Sequence, residues 1–165
     1  MTGVQTCALP IFKQGANVII WPESATSSYI LQGNQNNLQL IQSKLGDTKL
    51  LSGIPYYTAT KQNRMLYNSV ALISADLISK PYNKLMLVPM AEYIPLSGYF
   101  PSLKKLNLGQ ANFTHGEDYR IFNVDSIHIA AMICFESTIP SLSAEFVRNR
   151  KSTRLNSSHT SISYA

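Results

Sequence analysis

The sequence has few cysteines, no long apolar run and no glycine-rich phosphate loop. Its 165 residues include only two cysteines, Cys7 and Cys134, which excludes the disulfide framework of small secreted domains. No segment approaches the roughly 18 consecutive apolar residues of a membrane-spanning helix. The cysteines and histidines lack metal-ligand spacing, so we expect neither a metal nor a cofactor. What remains is a chain that is 45% hydrophobic and long enough for one domain with a core.

The two ends of the chain differ in character from the rest. Residues 1–11 and residues 150–165 both resemble translated sequencing-adapter sequence, and the Ser/Thr-rich tail is expected to be disordered. Residues 12–149 keep 11 of the 14 Lys and Arg residues and all 9 Asp and Glu residues, so their net charge is +2 and not the +5 of the whole chain. We therefore assign a single, partial catalytic domain to residues 12–149, and we expect no nucleic-acid partner.

Short apolar runs alternate with one or two helical patterns along this domain. A run that ends at Pro55 and another that ends at Cys134 have the length and β-branched content of buried strands. Leu38, Ile41 and Leu45 recur at helical spacing. Strands are predicted at 17–21, 49–54, 67–74, 119–124 and 126–134, helices at 34–45 and 140–149, and a long ordered loop at 81–109. The pattern predicts an α/β layered architecture.

Cys134 follows an apolar strand, at a point where the chain turns toward a helix. Such a turn holds a nucleophile exposed while the following backbone N–H groups stabilise a thiolate and an oxyanion. Taken alone, a single cysteine at the end of an apolar strand is more often a buried structural residue. The residue by itself therefore leaves both interpretations open.

Two further charged residues stand in settings suited to catalysis. Glu23 follows Trp-Pro at the end of a predicted strand, where partial burial would let its carboxylate accept a thiol proton. Lys84 lies in an apolar stretch, where its ammonium could hold a tetrahedral oxyanion. Glu92 and Glu136 could orient Lys84 or a substrate. Each of these residues could equally be a solvated surface charge, and Lys84 a snorkelling side chain.

The order and local sequence of these motifs resemble the nitrilase, or carbon–nitrogen hydrolase, superfamily, and within it the apolipoprotein N-acyltransferases. The matching strings are Trp-Pro-Glu-Ser at 21–24, Tyr-Asn-Lys-Leu-Met-Leu-Val-Pro-Met-Ala-Glu-Tyr-Ile-Pro at 82–95, and Ile-Cys-Phe-Glu-Ser at 133–137. The resemblance covers about residues 16–149. It implies a partial nitrilase-type α-β-β-α sandwich.

The resemblance also implies roles for individual residues. Cys134 matches the family's nucleophile, Glu23 its general base and Lys84 its oxyanion-stabilising residue. Three supporting positions are matched by Glu92, Phe135 and Glu136.

The implied reaction moves an acyl chain from a phospholipid to Cys134 as a thioester, and then to the N-terminal amine of an apolipoprotein. Partners would be the phospholipid donor, the apolipoprotein acceptor and the bacterial inner membrane, with the catalytic domain on its periplasmic side. The family contacts the membrane through segments that this sequence lacks. We therefore expect the chain to be a fragment that is inactive and poorly folded, since a truncated sheet has an unpaired apolar edge.

Two other functions fit the same residues. A soluble amidase of the nitrilase superfamily would share the three catalytic residues but hydrolyse a C–N bond with water. A non-enzymatic α/β interaction domain would carry Cys134 by chance. Spanning helices upstream of the domain would favour the acyltransferase over the amidase, and an unreactive thiol would favour the interaction domain.

Overall fold

A computed structural model of the chain describes residues 15–26, 28–33, 35–59, 63–95, 112–148, 153–156 and 162–163. Within these ranges, eight strands and two α-helices follow in the order β1 (Val18–Trp21), α1 (Gln35–Leu45), β2 (Lys49–Ala59), β3 (Arg64–Ile73), β4 (Tyr82–Asn83), β5 (Ile121–Val124), β6 (Ile127–Met132), α2 (Pro140–Arg148), β7 (Thr153–Asn156) and β8 (Ile162–Ser163). A 3₁₀ helix, Cys134–Thr138, joins β6 to α2. In the part of the chain that the structure describes, no helix has the length and apolar character needed to cross a membrane.

The first sheet has the strand order β1-β2-β3-β4. β1 and β2 are parallel, whereas β2 pairs with β3 and β3 with β4 in antiparallel fashion. The predicted end of β2 at Pro55 is wrong, because Pro55 pairs with Asn68 and the strand continues to Ala59. Since β1 stops opposite Ser52, the missing N–H of Pro55 removes no hydrogen bond to β1.

The second sheet has the strand order β5-β6-β7-β8. β5 and β6, which lie within the strands predicted at 119–124 and 126–134, form an antiparallel hairpin, and β7 adds to β6 in parallel. β7 and β8 lie in the tail 150–165, so at these six residues the backbone is paired and departs from the expected disorder. The physical reason is that the edge of β6 offers unpaired N–H and C=O groups to any extended segment. The edge of β6 is therefore paired with β7, whereas we had expected an unpaired edge in a truncated sheet.

Two apolar clusters hold these elements in layers. One cluster packs α1 on the outer face of the first sheet, through Leu38, Leu45, Leu50, Ile54 and Ile73. The other fills the space between the two sheets and takes in α2. Its buried members include Leu51, Val70, Tyr82, Phe122, Ile129, Met132, Leu142 and Phe146. The predicted α/β layered class is confirmed.

The segment after β3 carries part of the candidate site. The structure describes it to residue 95 as a short strand, β4, followed by turns. The predicted long loop at 81–109 is thus entered by a strand, because Tyr82 and Asn83 pair with Val70 and Ser69. Residues 96–109 of the predicted loop lie outside the described residues.

Candidate active site

Glu23 lies in the loop that follows β1. Its Oε1 accepts a hydrogen bond from Asn68 Nδ2 at 2.5 Å, and the residue is half-buried. Asn68 belongs to β3 and is itself buried, with 5% of its surface exposed. The carboxylate of Glu23 is therefore held by the sheet, unlike the solvated loop carboxylate that its sequence position also allowed.

β2 passes close beneath the Glu23 loop, and a glycine makes this approach possible. A Cβ atom on Gly53 would lie 2.5 Å from Pro22 O, 2.6 Å from Glu23 Cα and 2.9 Å from Ser24 N. These are backbone atoms that cannot rotate away. The position of Glu23 over the sheet thus depends on the absence of a side chain at residue 53.

Lys84 is completely buried directly after β4. Its Nζ donates to Glu92 Oε1 at 2.7 Å, and the other Glu92 oxygen accepts from Val88 N at 2.9 Å. Burial of an ammonium group requires a compensating charge, and the Glu92 carboxylate supplies it. Lys84 is therefore not a snorkelling surface residue. Of the two partners that the sequence left open for Glu92, Lys84 is the one that its carboxylate contacts in the structure.

The backbone around Lys84 is fixed from two sides. Lys84 N donates to Asn68 O at 2.8 Å, and Lys84 O accepts from Gly116 N at 2.8 Å. A Cβ on Gly116 would collide with the backbone of Asn83. The adjacent His115 Nδ1 lies 3.0 Å from Leu85 O. The segment around Gly116 thus packs directly against the turn that carries Lys84.

Cys134 begins the 3₁₀ helix after β6 and Ile133. Its φ is +53°, in the left-handed region that residues other than glycine adopt only when the surrounding structure enforces it. The residue is exposed, with a free thiol, while its carbonyl oxygen accepts from Ser137 Oγ at 3.0 Å. A strained turn that keeps a thiol exposed fits a nucleophile and excludes the buried structural cysteine that the sequence alone favoured.

Glu136 is a fully buried carboxylate directly behind this turn. Its oxygens accept from Ile133 N at 2.8 Å, Leu85 N at 2.7 Å and Met86 N at 3.1 Å. Both oxygens also lie within 3.0 Å of Tyr82 Oη. Glu136 therefore ties the cysteine turn to the segment that follows Lys84.

Burial shifts the ionisation of this pair. Desolvation raises the pKa of Glu136 above its ordinary value of 4.5, and the hydrogen bonds from Ile133, Met86, Tyr82 and Leu85 counteract part of that rise. Desolvation also raises the pKa of Tyr82, and the negative charge of Glu136 raises it further. The Tyr82 hydroxyl consequently stays protonated and acts as a donor to the carboxylate.

The three residues predicted from sequence thus belong to one connected arrangement. Asn68 binds the Glu23 carboxylate with its side chain and the Lys84 amide with its carbonyl oxygen. Glu136 then links the next residue, Leu85, to Ile133, which precedes Cys134. A carboxylate, a buried ammonium and an exposed thiol are the groups needed for proton transfer, oxyanion stabilisation and nucleophilic attack.

Apolar side chains are exposed around this arrangement. Phe135 is 45% exposed directly after Cys134, and Met86 and Met90 are 44% and 58% exposed on the segment that follows Lys84. The side chain of Phe135 therefore does not belong to the core.

Several residues of the site could not be assigned from sequence. Asn68, Gly53 and Gly116 act through contacts with residues distant along the chain. Tyr82 stands in the Lys84 motif, but its role depends on meeting Glu136, 54 positions later. The Tyr-Asn-Ser string at 67–69 was the one available signal for Asn68, because it resembles the acyltransferases.

A carbon–nitrogen hydrolase family model matches residues 4–157, which is most of the chain. The chain belongs to the carbon–nitrogen hydrolase family. The match reaches beyond residues 12–149 at both ends. It includes β7, within the tail that we had set apart.

Among curated proteins, apolipoprotein N-acyltransferases match this carbon–nitrogen hydrolase domain. The protein from Geobacter metallireducens is 28% identical over 137 residues, 81% of this chain and 26% of its own length. The protein from Bdellovibrio bacteriovorus is 31% identical over 140 residues, 76% of this chain and 25% of its own length. The chain thus spans about a quarter of the length of the relatives it matches.

Solved structures share the fold. A carbon–nitrogen hydrolase from Helicobacter pylori superposes with a TM-score of 0.62 at 13% identity, over 93% of this chain and 53% of the other. An amidase from Nesterenkonia sp. also gives 0.62, at 15% identity, over 94% of this chain and 56% of the other. These matches confirm the nitrilase-type fold that the sequence motifs predicted.

Proposed function

We propose that Cys134 is the nucleophile of an N-acyltransferase, with Glu23 as general base and Lys84 as the group that stabilises the oxyanion. The observation that carries this proposal is the arrangement in which Asn68 and Glu136 join the three residues. The relatives that match the chain are named apolipoprotein N-acyltransferases, so the donor would be a phospholipid and the acceptor an apolipoprotein.

In the first step, Glu23 takes the thiol proton and the Cys134 sulfur attacks the carbonyl carbon of a phospholipid acyl ester. Lys84 stabilises the negative oxygen of the tetrahedral intermediate. The ester C–O bond then breaks, Glu23 returns the proton to the leaving alkoxide, and a thioester remains on Cys134.

In the second step, the free N-terminal amine of the apolipoprotein attacks the thioester carbonyl. The C–S bond breaks, the amine loses a proton to Glu23, and that proton returns to the thiolate. An amide is formed and the enzyme is regenerated. The exposed Phe135 follows Cys134 directly, and the exposed Met86 belongs to the segment that Glu136 ties to the cysteine turn, so apolar side chains suited to acyl chains lie beside this turn.

The whole protein would act at the bacterial inner membrane, with this domain on the periplasmic side. Because the chain spans about a quarter of its relatives' length, we expect the 165 residues alone to be inactive in the complete transfer. The 165 residues supply the three proposed reacting side chains, Glu23, Lys84 and Cys134.

The alternative is hydrolysis of a C–N bond by the same three residues. The structural neighbours include the Nesterenkonia amidase, and in one structure of a mutant of that enzyme acrylamide has added to the active-site cysteine. In that case water, and not an amine, would attack the thioester. Incubating the whole protein with phospholipid and an apolipoprotein peptide separates the two, since an amidase would yield no acylated peptide.

The proposal is tested by mass spectrometry of the whole protein after incubation with phospholipid alone. We expect an acyl adduct on Cys134 that hydroxylamine removes, and its loss in Cys134→Ser. The matched control is Ser43→Ala, at an exposed position of α1, which should leave the adduct in place. Normal acylation of the peptide by Cys134→Ser would refute the assignment.

A further inference from the structure

The long hairpin of β2 and β3 carries an arginine that lies against two aromatic rings. The Arg64 guanidinium carbon lies 3.6 Å from the ring centroid of Tyr57 and 5.3 Å from that of Tyr29. The two rings meet edge to face at 5.1 Å. An aromatic ring in this position covers a flat face of a guanidinium and leaves the N–H groups at its edges able to donate.

The aromatic support is itself fixed in place. The Gln32 side-chain amide donates to Tyr57 O, and its oxygen accepts from Tyr57 N at 3.3 Å. These contacts tie the segment that carries Tyr29 to β2. Arg64 is exposed, and among the residues that the structure describes no carboxylate lies within ion-pair distance of it. A positioned cation with unused donors is suited to an anion.

Arg64 lies on the same face of the sheet as the residue that holds Glu23. Arg64, Leu66 and Asn68 alternate along β3, and side chains two residues apart point to the same face. Tyr57 pairs with Leu66, which lies between Arg64 and Asn68 on β3, so the stacked guanidinium is directed along the strand toward Asn68. A group bound by Arg64 would therefore be held on the face of the sheet that carries the Asn68 side chain, which binds the Glu23 carboxylate.

We propose that Arg64 binds the phosphate of the phospholipid acyl donor, with Tyr57 and Tyr29 holding its guanidinium. This proposal rests on the proposed function, since it deepens the assignment of the donor. In a glycerophospholipid the phosphate and the acyl esters share one glycerol unit. A phosphate anchored at Arg64 would thus bring an ester toward Cys134 and Glu23. The planar guanidinium matches two phosphate oxygens, which a lysine cannot do.

The experiment titrates the 165-residue chain with a short-chain phosphatidylglycerol below its micelle concentration. The ring-proton signals of Tyr57 and Tyr29, which lie against Arg64 and are present in every variant, report binding by NMR, and the dissociation constant is compared between variants. Arg64→Gln should weaken binding at least about tenfold, since a charge-assisted hydrogen bond is lost, and Arg64→Lys should weaken it less. Arg148→Gln is the matched control, because Arg148 is an exposed arginine on α2 paired with Glu145, and should leave binding unchanged.

Two other ligands identify the source of the phosphate. Inorganic phosphate should bind much more weakly than the lipid, and a short-chain diacylglycerol without phosphate should not depend on Arg64. Equal affinities for inorganic phosphate and phosphatidylglycerol would overturn the lipid assignment. If Arg64→Gln and Arg148→Gln bound phosphatidylglycerol with equal affinity, the assignment of a phosphate site to Arg64 would be overturned. Circular dichroism and urea unfolding confirm that each variant retains its fold.

A kinetic measurement on the whole protein gives an independent check. Arg64→Gln should raise KM for the phospholipid and leave kcat unchanged, which a general loss of structure would not do. Cys134→Ser should bind phosphatidylglycerol like the unchanged chain. Lipid binding through Arg64 without any adduct on Cys134 would refute the acyltransferase and leave this site standing. An adduct on Cys134 together with an unaltered lipid affinity in Arg64→Gln would refute the Arg64 site and leave the acyltransferase standing.

Discussion

At the scale of single residues, Gly53 determines how closely the Glu23 loop approaches β2. We predict that Gly53→Ala displaces this loop, because the new Cβ would meet three backbone atoms at 2.5 to 2.9 Å. Overpacking of this kind costs about 1–3 kcal/mol. A displacement of about 1 Å at a catalytic base lowers turnover by about 10²-fold. Urea unfolding of the chain and acylation by the whole protein measure the two effects.

Gly33→Ala is the matched control for this substitution. A Cβ on Gly33 would meet only Tyr29 O, at an ordinary 3.6 Å. Stability and turnover should both stay close to those of the unchanged protein. If Gly53→Ala behaved like Gly33→Ala, the close approach of β2 to the Glu23 loop would not position the carboxylate.

The sequence predicted the charged residues of the site better than the residues that hold them. Lys84 and Glu92 lie eight positions apart in one motif, so their pairing could be considered from sequence. Asn68 meets Glu23 only through the register of β2 on β3. That register depends on long-range packing, which no local pattern in the sequence reveals. For Cys134 the structure added what the sequence could not give. The sequence left open whether the cysteine is buried or exposed, and the structure places it in a strained turn with an exposed thiol.

At the scale of elements, the five predicted strands are present but some of their ends differ, and β4, β7 and β8 were not predicted. Pro55 looked like the end of β2, and β3 begins at Arg64, three residues before its predicted start. A proline ends a strand only where its missing N–H would have been needed. Whether it was needed depends on the neighbouring strand. The long hairpin that carries Arg64 was therefore not visible in the sequence.

The pairing of β7 with β6 gives a testable expectation for the tail. A chain that ends at residue 149 lacks β7 and exposes the edge of β6. We expect its unfolding free energy to fall by about 1–3 kcal/mol, since a few backbone hydrogen bonds of roughly 1 kcal/mol each are lost, and its aggregation to increase. Urea unfolding and light scattering measure these changes.

A chain that ends at residue 156 is the control for this truncation. It keeps β7 and loses only β8 and the last residues, so its unfolding midpoint should stay close to that of the full chain. Identical midpoints for the chains ending at 149 and 156 would show that the tail contributes nothing, as the predicted disorder implies.

At the scale of the whole molecule, Glu136 links the two sheets. It accepts from Tyr82 of the first sheet and from Ile133 at the end of β6. Burial raises its folded-state pKa above the ordinary 4.5. The folded chain therefore binds this proton more tightly than the unfolded chain. The stability contributed by protonation is fully present below pH 4.5 and is lost as the pH rises through the folded pKa.

We predict that this loss is absent in Glu136→Gln. The difference in unfolding free energy between the unchanged chain and the variant should favour the unchanged chain most at acidic pH, and should decrease as the pH rises above 4.5. Urea unfolding at several pH values measures it. Thr138→Val, which changes an exposed neutral side chain of the same 3₁₀ helix, should give a difference that does not change with pH in this way. A difference that grew with pH would contradict a raised pKa.

The overall architecture could be predicted from the sequence because the apolar residues of its cores recur at helical spacing or in short strand-like runs. Leu38 and Leu45 mark the face of α1 that packs on the first sheet, and the apolar run of β6 marks the space between the sheets. The order of strands within each sheet was not predicted. Two antiparallel pairings and one parallel pairing in the first sheet depend on how the connecting segments cross, which composition does not determine.

Asn68 binds the Glu23 carboxylate with its side-chain amide and the Lys84 N–H with its carbonyl oxygen. The distance between the Glu23 carboxylate and the Lys84 backbone is thus set largely by the covalent bonds within Asn68. Bond lengths and angles change little with temperature or solvent, whereas contacts between packed side chains expand and relax. The carboxylate and the lysine turn should therefore keep a constant spacing on heating, until the hairpin itself separates.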